Sequence, residues 1–103
     1  MNIDEFNTLF EKHRWYCGRM ISGGKKAPEG HKCVWNANIV TESKGKVWWG
    51  DVDITKDAPK LKAIAAEAGE TLYVLREMDC RFNTEKDSVD VLINKAVWNT
   101  NEE

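Results

Sequence analysis

Hydrophobic positions recur along the chain at two periods. From Asn2 to about Lys12, Ile3, Phe6, Leu9 and Phe10 share one face at helical spacing, with Asp4 and Glu5 in the first turn. Acidic residues there complement the positive end of the helix dipole. Arg14 to Ile21 is a poorer helix, because Gly18 and the aromatic pair Trp15-Tyr16 favour a strand. The polar run Ser22 to Gly30 reads as a loop. Lys32 to Thr41 then alternates at period two, with Cys33, Trp35, Ala37 and Ile39 on one side and Val34, Asn36, Asn38 and Val40 on the other. Glu42-Ser43-Lys44-Gly45 reads as a hairpin turn that returns into a strand from Lys46 to Ile54.

Beyond it, Asp57 stands where a helix N-cap belongs and Pro59 fits a first turn. Leu61, Ile64, Ala65 and Ala68 point one way, and Gly69 ends the helix. Thr71 to Met78 alternates as a strand. Ser88 to Trp98 reads as the last strand on Val89, Val91, Ile93 and Val97, with a short helix as the alternative. The order α-β-β-β-α-β-β implies an α+β protein: one small domain over residues 1–103, with a mostly antiparallel sheet of about five strands and two helices packed on it.

Composition narrows the class. A 103-residue chain that is 42% hydrophobic, with a net charge of only −2, can pack a core and is not a disordered chain. A core of this size is modest and leaves room for a homodimer. No apolar run approaches the roughly 20 residues of a membrane span, and no signal-peptide pattern opens the chain, so a cytoplasmic protein with no membrane association is expected. Three cysteines then imply reduced thiols. The charge is segregated: residues 11–32 hold six cations and two anions, residues 77–103 three cations and seven anions. Five tryptophans are more than so small a core hides comfortably, which suggests exposed indoles.

Three constellations offer chemistry. On a continuous strand, Trp49, Asp51 and Asp53 would share one face, where an indole beside two carboxylates suits a stacked ligand or a divalent cation. Alternation alone also explains that pattern as a wet sheet face. His13, Cys17, His31 and Cys33 have zinc-type donors, but not the usual Cys-x2-Cys spacing. Gly23-Gly24-Lys25-Lys26 can meet a phosphate through backbone N–H groups and ammonium groups, although it is not a P-loop. Arg14, Trp15, Tyr16 and Arg19 add a stacking surface; the acidic balance opposes a dedicated nucleic-acid binder.

No nucleophile comes with an orienting carboxylate or an oxyanion hole. The leading expectation is therefore a non-catalytic interaction protein of inhibitor or adaptor type, needing neither cofactor nor metal. It would dock on another protein through Trp15, Trp49, Arg14 and Arg19. The alternative is a binder of a small nucleotide-like ligand, with Trp49 under the base, Lys25 or Lys26 on phosphate and Asp51 or Asp53 on the ribose. Last comes a metal-dependent phosphate-ester enzyme using Asp51 and Asp53.

Overall fold

A computed structural model of the chain describes residues 1–21, 29–30, 33–83 and 86–101. The strand Asn36–Ser43 (β3) organises them. One of its edges takes β1 (Arg14–Tyr16) beside Asn36 to Asn38 and β4 (Lys46–Trp49) beside Thr41 to Ser43, both antiparallel. The other edge takes β6 (Leu72–Arg76), which runs parallel to β3 from Asn38↔Leu72 to Glu42↔Arg76. The short strands β2 (Arg19–Ile21), β5 (Val52–Asp53) and β7 (Trp98–Asn99) pair antiparallel with β1, β4 and β6. The class is α+β and the sheet is mostly antiparallel. Among the described residues it has seven strands rather than five, and three α-helices rather than two.

Two hydrophobic layers sandwich the sheet. On one face, α1 (Ile3–Lys12) and α2 (Leu61–Ala68) bring Phe6, Phe10, Leu61 and Ala65 against Val40, Trp49, Leu72 and Val74. On the other, α3 (Val89–Lys95) brings Leu92 against Trp35, Ala37, Ile39 and Leu75. The period-two reading of β3 therefore holds, with Trp35, Ala37 and Ile39 in one layer and Val40 in the opposite one. Helix ends follow local chemistry. Asn2 accepts the Glu5 N–H at 2.9 Å and caps α1. Gly69 adopts the left-handed conformation at the end of α2, and the Glu70 N–H closes back onto the Ala65 carbonyl at 2.9 Å.

Four expectations need correction. Arg14 to Ile21 is not one strand but a hairpin, turned at Cys17-Gly18 with φ of 50° and 82°. Lys44-Gly45, with φ of 52° and 78°, makes the same kind of two-residue turn, whose twist matches that of the flanking strands. Lys46 to Ile54 is likewise broken, because Gly50-Asp51 turns the chain between Trp49 and Val52. Ser88 to Trp98 is helical over Val89–Lys95, since Val89 and Leu92 sit three apart on the face that packs on the sheet. Asp57 does not cap with its side chain: its carboxylate takes the Met1 ammonium at 2.8 Å.

Gly50 has φ +62°, and its Cα lies directly against the His13 ring, so an added methyl would overlap Cγ, Nδ1 and Cε1 of the imidazole. Gly45 has φ +78° with nothing nearby. Gly50→Ala should therefore cost about 2–3 kcal/mol through overpacking plus backbone strain, and Gly45→Ala about 1 kcal/mol through strain alone. Urea unfolding of both variants measures the difference; equal losses would mean the His13 contact yields freely.

Candidate functional site

The sequence-selected residues do not come together. Trp49 has 0% exposure, set edge-on to Phe6 at a ring separation of 5.2 Å. It is a core residue, and no base or partner reaches its face. The cause is the turn at Gly50-Asp51, which removes Trp49 from the face it would have shared with the two aspartates. Asp53 instead accepts from the Thr55 N–H at 3.0 Å and the Thr55 hydroxyl at 2.6 Å. Those two hydrogen bonds hold its carboxyl below the usual carboxylate range. Asp51 lies on the turn, its side chain 82% exposed and 3.7 Å from His13 Nε2. Among the described residues no group of three or more His, Cys, Asp or Glu side chains is placed to hold a metal ion.

His13 and Cys17 are parted for a similar reason. β1 separates them as extended chain, so they stand roughly 13 Å apart rather than one helical turn. Cys17 and Cys33 do meet, and burial followed by their mutual hydrogen bond raises the Cys17 thiol. Lys25, Lys26 and His31 lie outside the described residues. Arg14, Trp15 and Arg19 occupy the β1–β2 hairpin. Trp15 is half-buried and stacked on Trp35 at 6.4 Å, Arg14 lies 5.0 Å over the Phe10 ring, and Arg19 is exposed. No ion pair between described residues joins the basic segment to the acidic C-terminal third.

Two concavities stand out, at opposite ends of the parallel β3/β6 pair. At the carboxyl ends lies an open groove of about 680 Å³ lined by Glu42, Ser43, Lys44, Arg76, Glu77, Met78 and Arg81. Ser43 donates to Glu77 at 2.7 Å, so one carboxylate is tethered. Among the described residues Lys44, Arg76 and Arg81 make no ion pair, and Met78 is 75% exposed. The sequence pattern shows only the strand Thr71 to Met78 here. The missing signal was the parallel register, which brings Glu42 and Arg76 side by side from positions 34 residues apart.

At the other end, Arg14, Asn36, Asn38, Glu70 and Thr71 are among the residues lining a cavity of about 230 Å³. Asn38 is 1% exposed, and neither atom of its amide has a hydrogen bond. Leaving a buried amide unpaired costs roughly 1–3 kcal/mol per group, so this is an expensive side chain to keep. Searches against protein-family models, curated proteins and solved structures found no match for this chain. No described helix is long and apolar enough to cross a membrane.

His13 is a further buried polar group next to these elements. It sits 4% exposed at the end of α1, and neither ring nitrogen is hydrogen-bonded. Burial, then the Lys12 ammonium, push its pKa below the ordinary imidazole value; Asp51 opposes them. A depressed imidazole pKa means the unfolded chain binds the proton more readily. The stabilisation is therefore complete above about pH 6.5 and is lost as pH falls toward the folded value. His13→Gln should flatten that part of the stability-versus-pH curve, measured by urea unfolding between about pH 5 and 7.5. An unchanged slope would assign the acid sensitivity to other groups.

Proposed function

We propose that this protein is a non-catalytic interaction module that docks an acidic segment of a partner protein in the groove at the carboxyl ends of β3 and β6. The observation that carries the reading is the convergence of Lys44, Arg76 and Arg81, each without an ion-pair partner among the described residues, around the exposed side chain of Met78. Arginines beside an adaptable thioether are the residue types that recur at interface centres. The guanidinium groups present forked donors to carboxylates, and Met78 supplies the apolar contact that makes release slower. The groove is open and about 680 Å³ in volume, which suits an extended chain segment lying across it.

Compared with the sequence-derived expectation, the class of function is retained and the surface is moved. Trp49 leaves the interface because it is core, while Arg14, Trp15 and Arg19 form the rim of a separate hairpin. The groove stands on the most deeply packed strands, whose residues Val40, Val74 and Leu75 are all fully buried. A binding surface on such a base is preorganised, since little of it must be ordered when a partner arrives.

The test is amide chemical-shift mapping with a synthetic peptide rich in glutamate and leucine. Perturbations should centre on Lys44, Arg76, Met78 and Arg81, and should weaken as salt shortens the Debye length below about 10 Å. The double variant Arg76→Glu/Arg81→Glu should lose at least about tenfold in affinity with an unaltered unfolding midpoint, because both side chains are exposed. Perturbations centred on Arg14 and Arg19, or an affinity unmoved by the charge reversal, would transfer the docking role away from this groove.

A further inference from the structure

The cavity at the opposite end of the β3/β6 pair points to a second site, independent of the groove. We infer that it binds a small amide-bearing α-amino acid, with the ligand carboxamide on Asn38, its carboxylate on Arg14 and its ammonium on Glu70. Asn38 carries the argument. Its carboxamide faces the α1/α2 side of the sheet, in register between Arg14 on β1 and Leu72 on β6, and it is 1% exposed with donor and acceptor both unpaired. A carboxamide is complementary to another carboxamide, since each offers one acceptor and two donors in a plane.

The rim supplies the charges. Arg14 and Glu70 line the same cavity yet form no ion pair with each other, so it carries one cation and one anion not paired together. A lining with both signs of charge suits a zwitterion better than a singly charged ligand. The volume, about 230 Å³, holds a molecule of amino-acid size and is below that of a usual cofactor or nucleotide pocket. Thr71 on the rim is already engaged, its hydroxyl accepting from the Asn101 amide, which leaves Asn38 as the lining side chain with both polar atoms unsatisfied. Arg14 rests 5.0 Å over the Phe10 ring and the Asn38 amide is closed to solvent, so the proposed ligand has to displace lining side chains to reach it.

The experiment titrates the full chain with L-glutamine and L-asparagine, and in parallel with L-leucine, glutarate and putrescine, reading the Asn38 side-chain amide and backbone shifts by NMR. At least one of the two amide amino acids should saturate with a dissociation constant below about 1 mM, and each control should bind roughly ten- to hundredfold more weakly. Asn38→Leu should abolish the binding while leaving the protein as stable or more so, because it removes an unsatisfied buried amide. Arg14→Gln should weaken binding about tenfold or more with the fold retained. Absence of saturation by both amide amino acids would overturn the proposal, as would equal binding of glutarate or putrescine, or binding that survives Asn38→Leu. Should Asn38→Leu fail to fold, the Arg14→Gln titration decides alone. The charge reversal Arg76→Glu/Arg81→Glu should leave this binding untouched, so the fates of the two sites are separable.

Discussion

Everything in this molecule hangs on a strand buried on both faces and paired along both edges. Ala37, Asn38, Ile39 and Val40 are consecutive and all buried, which alternation permits only when each face of the sheet is covered. Helices α1 and α2 cover one face and α3 the other. β1 and β4 share one edge because β6, pairing from Asn38 to Glu42, already occupies the other. Each hairpin is therefore only as long as its half of β3, and this shortness sets the tight turns at Cys17-Gly18 and Lys44-Gly45. The chain then passes through α2 to lay β6 parallel, as a parallel neighbour requires a crossover rather than a turn.

Local chemistry was legible where the deciding neighbours are close in sequence. The first helix, the turn at Lys44-Gly45, the inward face of α2 and its stop at Gly69 all follow from contacts within a few residues. The failures share a physical cause, which is that long-range packing outvoted local pattern. Val89, Val91 and Ile93 alternate like a strand. What decided the segment was the fit of Val89 and Leu92 onto the sheet, at helical spacing. Trp48-Trp49-Gly50-Asp51 looks continuous, but β1 already takes Asn36 to Asn38 on the same edge of β3, which limits a longer partner, and the chain folds back at Gly50. Of the candidate site little was visible. Arg76 and Glu42 become neighbours only through the parallel register, and nothing in Asn36-Ala37-Asn38 distinguishes a buried amide from a wet one.

The polar groups enclosed by this fold are unevenly treated. Thr100 is buried and accepts the Leu72 N–H, just as the more exposed Asp53 and Ser43 are satisfied by Thr55 and by Glu77. His13, Asn38 and the Trp35 and Trp49 indoles are enclosed without hydrogen bonds. The indoles bring large apolar area that offsets a lost donor, and a neutral His13 fills the space left by Gly50. Asn38 has no such compensation, since leucine would fill its volume without the unpaired amide. An exposed, unpaired arginine in the groove costs almost nothing, because water solvates it. The two concavities thus rest on different physics, the one on charge left free at a surface and the other on a buried group short of partners.

They also stand at opposite ends of one rigid unit. Between Asn38↔Leu72 and Glu42↔Arg76, the paired strands run through Val40, Val74 and Leu75, which are fully buried, and Ile39, which is nearly so. Energetic coupling between distant sites needs an element with two arrangements that both ligands bias. A close-packed strand pair held by a continuous ladder offers only one, since shifting its register by a residue would turn every side chain to the wrong face. The central strands therefore separate the two sites as effectively as they support them, and a ligand at one end changes the other only through the long-range field of its charge.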